Sequence, residues 1–384
     1  MKQRVVLAIE SSCDETAASV VVGSFDSSGK LASTLVKSHV VESQLESHIP
    51  FGGVVPEVAA RDHLQKIDSV VARALEGHPN PDLVAVTMGP GLVGALMVGI
   101  LYARGFAFAR GIPLLAINHV DAHLAPAILL NSFSVGTENT IPEIPYPALA
   151  LTISGGHCHM SQLFSPTHRK VLGRTMDDAC GEAFDKIAKL LGLPYPGGPE
   201  VERLAGLAVP LGLQGPAQKL GKTFPSVIAD KSNRWNFSFS GLKTSVLNDV
   251  RALTHHKIGK VSGATLPEKE KAEIACAFQI AAFGQLEDRL RNAMADVQQP
   301  FRSILVAGGV AANQTFRKRL GALNLPTRFA PLPLCSDNAT MIALEALLRI
   351  PSFESEAHKK YFDGFARQPF TRYRDDELLK GEIL

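Results

Sequence analysis

The sequence predicts an α/β protein of two similar lobes, built by internal duplication, with a nucleotide held in the cleft between them. Three observations carry this. A pattern of strand, polar turn and returning strand opens the chain and recurs in its second half. Glycine-rich turns follow strands in both halves. At 384 residues the chain is also too long for one ordinary core, which makes two domains the default.

The elements follow in order. Residues 5–9 form a continuous apolar run of strand length, the mark of a strand buried on both faces. Next come the polar turn Ser11-Ser12-Cys13-Asp14-Glu15-Thr16, a second strand over 17–22 and a third over 31–36. Residues 83–87 are a strand ending in Gly89-Pro90-Gly91 before a long apolar helix. Its apolar run, 92–103, meets Arg104 and is too short to span a bilayer. The opening theme then returns: a strand over 148–153, the turn Ser154-Gly155-Gly156-His157 and a returning strand over 158–164. Residues 303–307 are a strand that runs into Gly308-Gly309 and a helix from Ala311. The Ser-, Thr-, Asn- and Pro-rich stretch 131–147 reads as an inter-lobe loop. The lobes are therefore 1–130, completed by the C-terminal segment 345–384, and 131–344. Two hairpin turns facing each other across a cleft would grip a nucleotide from opposite sides, as in the actin, Hsp70 and sugar-kinase architecture.

Composition narrows the class. Apolar residues make up 46% and charged residues 20%, which describes a soluble globular chain. A net charge of +2 gives no general attraction for nucleic acid, so a polyanion would need a local patch or a surface shared with partners. The cysteines, at 13, 158, 180, 276 and 335, are odd in number and lack a Cys-x-x-Cys pair, which fits a reducing compartment. The run 5–9 is too short for a signal peptide and Glu10 ends it, so the expected location is the cytoplasm, or the mitochondrial matrix for a mature form.

His119-Val-Asp-Ala-His123 is the most informative stretch. Histidines four apart share a helical face and can share one metal ion. A zinc protease needs Glu after the first His as its base, and Val120 stands there. Alone, the pair reads equally as an ordinary histidine pair. The glycine-rich turns on both sides, and a late acid, Asp337 in Cys335-Ser-Asp-Asn338, favour the metal.

In Gly308-Gly309-Val-Ala-Ala-Asn313 the glycines let backbone approach a ligand, and the helix N-terminus favours an anion. Taken singly, this turn and Ser154-Gly155-Gly156-His157 are ordinary turns. With Gly89-Pro90-Gly91-Leu-Val-Gly94 and Pro196-Gly197-Gly198-Pro199 they point to a nucleotide site. Asp177-Asp178 and Gly181-Glu182-Ala-Phe-Asp185-Lys186 place carboxylates on a helix. Asp185 suits ribose hydroxyls, while Glu182 and Lys186 read as a solvated ion pair. In His157-Cys158-His159, strand alternation turns Cys158 away from both histidines, leaving at most one functional His. The runs His168-Arg169-Lys170 and Arg317-Lys318-Arg319 read as solvated faces, and Trp235 as a packed aromatic.

At these residues the sequence resembles the tRNA N6-adenosine threonylcarbamoyltransferase family, formerly described as O-sialoglycoprotein endopeptidases. The likeness runs from Val5 to about Phe370. It comprises Glu10-Ser-Ser-Cys-Asp-Glu-Thr16, Gly52-Gly-Val-Val-Pro-Glu57 with Arg61-Asp62-His63, Gly89-Pro-Gly-Leu-Val-Gly94, His119-Val-Asp-Ala-His123 and Ser154-Gly-Gly-His157. Asp177-Asp-Ala-Cys-Gly-Glu-Ala-Phe-Asp185, Tyr195-Pro-Gly-Gly-Pro199, Phe237-Ser-Phe-Ser-Gly-Leu-Lys243 and Cys335-Ser-Asp-Asn338 complete it. Each motif is weak; their order is specific.

The resemblance implies that His119, His123 and Asp337 ligate one divalent ion, Fe2+ or Zn2+, with open positions for substrate. It implies adenylate contacts from Ile153, Ser154, Gly155, Gly156, His157, Asp185, Gly198, Glu202, Gly309 and Asn313, and makes Asp14 and Glu15 the acidic pair near the reacting centre. The implied reaction transfers threonylcarbamoyl from threonylcarbamoyl-AMP to N6 of the adenosine 3′ of the anticodon, in tRNAs reading codons that begin with A. The implied partners are accessory subunits, as in bacterial relatives, or a second copy, as in mitochondrial ones; no membrane is implied.

The chain departs from the family pattern in three places. Asp121-Ala122 stands where Glu-Gly is usual, which leaves the ligands intact and alters their surroundings. Gln368 replaces a usual Trp, and the charged tail 371–384 is an extension. Two rival readings share parts of this pattern. A sugar-kinase-like phosphotransferase would leave His119, His123 and Asp337 without a task. A metal-dependent O-carbamoyltransferase acting on a small molecule would use the same site and differ in product.

Overall fold

The structure, a computed structural model, describes residues 1–78, 80–208, 233–254, 261–353 and 368–371. Two sheets organise it. The first contains β1 (Lys2–Glu10), β2 (Glu15–Phe25), β3 (Leu31–Ser43), β4 (Leu83–Gly89), β5 (Leu114–Asn118) and β6 (Glu138–Thr140), in the order β5-β4-β1-β2-β3-β6. The second contains β7 (Ala148–Ile153), β8 (Cys158–Leu163), β9 (Arg169–Arg174), β10 (Ser303–Ala307) and β11 (Thr327–Phe329), in the order β11-β10-β7-β8-β9.

The duplication is visible in these orders. β1, β2 and β3 form an antiparallel meander, with β4 and β5 added in parallel on the β1 side. β7, β8 and β9 repeat the meander, and β10 and β11 repeat the parallel additions beside β7. This repeated sheet is the two-lobed actin-like α/β architecture that the sequence predicts. The one unmatched strand, β6, comes from the stretch expected to be an inter-lobe loop; it pairs with Ser33, Thr34 and Leu35 at the outer edge of β3.

β1 reads as a continuous apolar run because both its faces are covered. Leu7 and Ile9 join the core formed with helices Pro56–Leu75 and Val93–Arg110. Val6 and Ala8 point the other way, to helix Ala339–Phe353 and the core that continues into the second lobe. Helix Val93–Arg110 is long and apolar enough to cross a membrane, yet Leu96, Ile100, Ala103 and Ala107 are spent on packing against the sheet side. In the second lobe, Phe184, Phe278, Phe283 and Phe316 stack with ring centroids 4.9–5.6 Å apart between the helices behind β10.

The C-terminal part returns to the first lobe. Helix Ala339–Phe353 lies on β1, β2 and β3, and Phe370 packs beside Met88, its backbone N–H donating to the Met88 carbonyl at 3.2 Å. Of the expected completing segment 345–384, residues 354–367 and 372–384 lie outside the described residues.

Some boundaries differ from expectation for local reasons. β2 begins at Glu15, so Glu15 and Thr16 belong to the strand and the hairpin turn is shorter. The helix expected from Ala311 begins instead at Gln314, after a 3-10 turn over Gly309–Ala312. Asn313 sets that start by accepting from the Phe316 N–H at 3.0 Å.

Gly308 sits at φ 93°, ψ 167°, a region open essentially to glycine, and a Cβ there would lie 2.3 Å from the Ile153 carbonyl oxygen. Gly308→Ala is expected to cost at least about 1–3 kcal/mol in a denaturant titration; a loss below about 0.5 kcal/mol would mean that β7 and β10 do not meet this closely.

Candidate metal centre and inter-lobe cleft

β1 ends in Glu10, whose carboxylate is wholly buried. It accepts from the Ser12 backbone N–H at 2.5 Å, from the Thr87 hydroxyl at the end of β4, and from His119 Nδ1 at 3.1 Å. Burial pushes this carboxyl up, but the charge and hydrogen bond of His119 outweigh burial and hold it below its usual value. Sequence reasoning missed Glu10, taking it only as the residue that stops an apolar strand. An acid at the inner end of a buried strand was the available signal.

The bond to Glu10 occupies His119 Nδ1 and turns Nε2 toward the cleft. His119 opens a one-turn helix, His119–Ala122, whose first N–H groups are capped by the Asn118 side chain and whose C-cap is His123. The two Nε2 atoms are 3.2 Å apart. Asp337, just before helix Ala339–Phe353, completes the group: its Oδ1 lies 3.4 Å from His119 Nε2 and 3.2 Å from His123 Nε2. Donor atoms on a tetrahedral ion with bonds of about 2.0–2.1 Å stand about 3.4 Å apart, so this triangle fits Zn2+ or Fe2+. Both histidines are buried, whereas Asp337 keeps a fifth of its side chain exposed.

The electrostatics agree with a cation here. Burial disfavours imidazolium at His119, but Asp337 and Glu10 outweigh it and hold the ring well above its usual value. Burial likewise opposes charge on Asp337, and the two histidines overcome it, leaving the carboxyl well below its usual value. A pocket that stabilises positive charge this strongly suits a divalent ion.

Asp14 and Glu15 stand at the same end of the cleft. Burial, then Asp337, then Asp14 push Glu15 well above its usual value. His63 supports this turn, with Nδ1 2.7 Å from Thr16 Oγ1 and Nε2 3.1 Å from the Cys13 carbonyl. The Gly89-Pro90-Gly91 loop braces this turn: the Leu92 N–H donates to the Ser12 carbonyl at 2.8 Å, and a Cβ on Gly91 would lie 2.6 Å from that oxygen.

The opposite wall is built from four turns of the second lobe, each backed on the next. Gly308 packs against Ile153, and Gly181 against the Ser154 carbonyl. The Asp185 carboxylate accepts from the Gly197 N–H at 2.8 Å, and Glu202 accepts from the Gln314 N–H at 2.8 Å. On the free side of this wall, a Cβ at Gly155, Gly156, Gly198 or Gly309 would meet nothing within 4 Å. Open space over four glycines is what close backbone approach to a phosphate or a purine needs. His157 stands 6.1 Å from the His119 ring, which brings the second hairpin turn to the metal group.

Three of the expected nucleotide residues already have protein partners. Asp185 holds the Gly197 turn, Glu202 holds the N-terminus of helix Gln314–Leu320, and Asn313 caps that helix while donating to Gln279 at 3.0 Å. Glu182 and Lys186 form the expected ion pair at 2.7 Å, and Lys186 also reaches Asp178 at 2.7 Å. Cys158 points into the core, as strand alternation requires. Trp235 is packed, its indole N–H donating to Asp296 at 3.0 Å.

Two expectations are corrected. Arg169 is not on a solvated face: it begins β9 on the inward register, with its side chain 1% exposed and 3.1 Å from Asp121. Arg317 is also internal, stacked on Phe329 and donating to the Ala311 and Ala330 carbonyls at 2.7 and 2.8 Å. In the first run Arg169 turns in between exposed neighbours, and in the second Arg317 and Arg319 are both half-buried with Lys318 exposed between them, which a charge count along the chain does not register. Asp177 and Asp178 have structural work too. Asp177 accepts from Ser238 and from the Phe239 and Ser240 N–H groups at the start of helix Ser240–Leu253; Asp178 meets Lys243 at 2.7 Å.

Comparison with known proteins adds a family. The TsaD family profile, tRNA N6-adenosine threonylcarbamoyltransferase, matches residues 36–344. A tRNA N6-adenosine threonylcarbamoyltransferase of Moorella thermoacetica is 42% identical over 351 residues, 89% of this chain and 90% of the relative. Similar proteins of the same name occur in Brucella anthropi, at 41% identity over 88% of each chain, and in Streptococcus thermophilus, at 38% over 94% of this chain and 95% of the relative. Among solved structures, the activator of the 2-hydroxyisocaproyl-CoA dehydratase from Clostridium difficile, with bound ADPNP, overlays with a TM-score of 0.43 at 14% identity, covering 94% of this chain and 97% of the other. The fold assignment rests on the repeated strand order, without that overlay.

Two outcomes are expected from this geometry. Glu10→Gln, which keeps the shape but loses the charge that orients His119, is expected to weaken zinc binding about 10–100-fold in competition with a chromophoric chelator; unchanged affinity would remove Glu10 from the site. His159, buried in β8, is held down at about 4, chiefly by burial, against 6.5 when free. Its folded value is depressed, so the folded state takes up its proton later than the unfolded chain does. Stability is therefore lost as pH falls from 6.5 toward 4, by up to about 3 kcal/mol. His159→Gln should flatten that part of a stability-versus-pH curve; an identical curve would refute the assignment.

Proposed function

Because the chain belongs to the tRNA N6-adenosine threonylcarbamoyltransferase family, we propose that the cleft between its hairpin turns takes threonylcarbamoyl-AMP, and that His119, His123 and Asp337 hold Fe2+ or Zn2+ beside its carbamoyl carbon. The chain carries out threonylcarbamoylation of adenosine in tRNA. The observation that carries the finer reading is the position of the His119, His123 and Asp337 triangle, at the mouth of a glycine-walled cleft.

The substrate is a mixed anhydride, activated by its AMP leaving group. N6 of the adenosine 3′ of the anticodon attacks the carbonyl carbon, a C–N bond forms, the C–O bond to phosphate breaks, and AMP leaves. When bound, the ion supplies Lewis acidity that polarises the carbonyl and steadies the charge growing on its oxygen. An aromatic amine is a weak nucleophile, so a base at the attack point matters. Asp14 takes the N6 proton in this reading, with Glu15, raised by burial and by Asp337, as its neighbour. Backbone at Ile153, Ser154, Gly155, Gly156, Gly198 and Gly309 lines the adenylate, and His157, neutral because burial and then His119 hold it at about 3, closes the end nearest the metal. Asp185, Glu202 and Asn313 serve by holding the glycine turns in place, with any remaining lone pairs available to ribose.

The lobes are read as 1–130 with 345–384, and 131–344. The tRNAs are those reading codons that begin with A, and the setting is the cytoplasm, away from membrane. Net charge of +2 offers little general attraction for tRNA, which supports sharing the RNA surface with a partner. The exposed apolar side chains Leu64, Val93, Leu101 and Phe108, on the adjacent helices Pro56–Leu75 and Val93–Arg110, support an accessory subunit that covers this face; a second copy of the chain is the other occupant.

The test is mass spectrometry of nucleosides from unmodified tRNA incubated with the chain and threonylcarbamoyl-AMP, alone and with accessory proteins from a relative. Threonylcarbamoyladenosine is expected, abolished in His119→Ala and reduced about 10²–10⁴-fold in Asp14→Asn at unchanged adenylate binding. Wild-type turnover in Asp14→Asn would remove the base, and a small-molecule carbamate as the only product would replace tRNA as substrate.

A further inference from the structure

Behind the metal group lies a second cluster of charge that the reaction does not use. His119 and His123 occupy one face of the short helix His119–Ala122; Asp121, two residues on from His119, projects from the opposite face. Its carboxylate meets Arg169 of β9 at 3.1 Å and Arg349 of helix Ala339–Phe353 at 3.5 Å. Both arginines converge on Glu345 of the same helix, Arg349 at 2.7 Å and Arg169 at 3.6 Å. Two acids and two arginines thus form a closed, neutral ring. Asp121, Arg169 and Glu345 have side chains no more than 2% exposed, and Arg349 is 13% exposed.

Its placement gives the ring a task. A single helical turn has almost no stability of its own, so tertiary contacts must set its orientation. One side of the His119–Ala122 turn is fixed by Glu10 and Asn118. The ring fixes the other side, and ties it to the very helix that Asp337 precedes by two residues. It also reaches through Arg169 into the second sheet. The two histidines and the aspartate come from distant parts of the chain, and the ring spans the gap between their supports.

We propose that the Asp121–Arg169–Glu345–Arg349 ring is a positioning element for the metal group, which sets the spacing between the His119–His123 pair and Asp337. This rests on the metal reading given above. The ring touches neither substrate nor ion; it acts through the ligands.

The test measures zinc affinity of the full chain by competition with a chromophoric chelator, next to far-UV circular dichroism and cooperative unfolding. Wild type should bind one Zn2+; failure to do so removes the metal reading itself. Asp121→Asn and Arg169→Gln are each expected to raise the zinc Kd by about 10–100-fold. Arg169→Lys, which keeps the charge but not the planar fork, should recover part of that loss. Arg319→Gln, which breaks the remote ion pair with Glu287, is the control for general loosening and should leave zinc affinity unchanged. Where Asp121→Asn or Arg169→Gln fails to fold, Arg349→Gln at the ring's exposed edge decides, with an expected loss of about 10-fold. Folded ring variants that bind zinc within twofold of wild type overturn the proposal.

Discussion

A buried carboxylate held by a histidine is the constraint around which this molecule is arranged. Glu10 ends the central strand of the first sheet, out of reach of water. An ionised acid there is tolerable only if every oxygen is met by a donor. The donors come from the adjoining turn at Ser12, from Thr87 of β4 and from His119 beyond β5. Satisfying one charge therefore brings the ends of three strands into register, and it aims an imidazole at the cleft. Metal position, hairpin position and sheet order are one solution to this requirement.

The duplicated sheet explains where the cleft opens. Each lobe presents the turn between its first two strands toward the other, so the acidic turn of Cys13, Asp14 and Glu15 confronts the glycine turn of Ser154, Gly155 and Gly156. The copies have diverged in chemistry while keeping topology. The first turn carries acids and backs onto His119, whereas the second carries glycines and backs onto helix N-termini. A cation and an activated anion can then be held side by side without either wall having to recognise both.

Much of this was legible in the sequence, and the reasons are local. Strands β1, β4, β7 and β10 are buried through their centres, so they appear as apolar runs; the limits of β7 and β10 match those runs, while β1 and β4 extend beyond them at Lys2 and Gly89. His119 and His123 are four apart on one turn, a spacing that needs no tertiary knowledge. Asp337 was noticed as a late acid, but only the resemblance joined it to the histidines, since nothing near it in sequence says which fold position it reaches. The residues that escaped do their work through distant partners: Glu10 through His119, Asp177 through Ser238 and Ser240, and Arg169 through Asp121 and Glu345. Local pattern shows that a charge exists, but the neighbour that neutralises it is chosen by topology. Asp185, Glu202 and Asn313, expected at the ligand, also hold by hydrogen bonds the loops around it, a task their sequence positions do not reveal.

The metal group also has a mechanical aspect. Its histidines and its aspartate are separated by roughly 200 residues of chain, including nearly all of the second lobe. A bound ion would pin the two ends of that span together as a removable staple, restricting the unfolded chain much as a long-range disulfide does. At about 100 times Kd of free ion, binding to the folded form alone adds about 2.7 kcal/mol. Metal supply would then govern how long the chain survives proteolysis as well as whether it turns over. A cell short of the ion would hold fewer of these molecules in addition to less active ones.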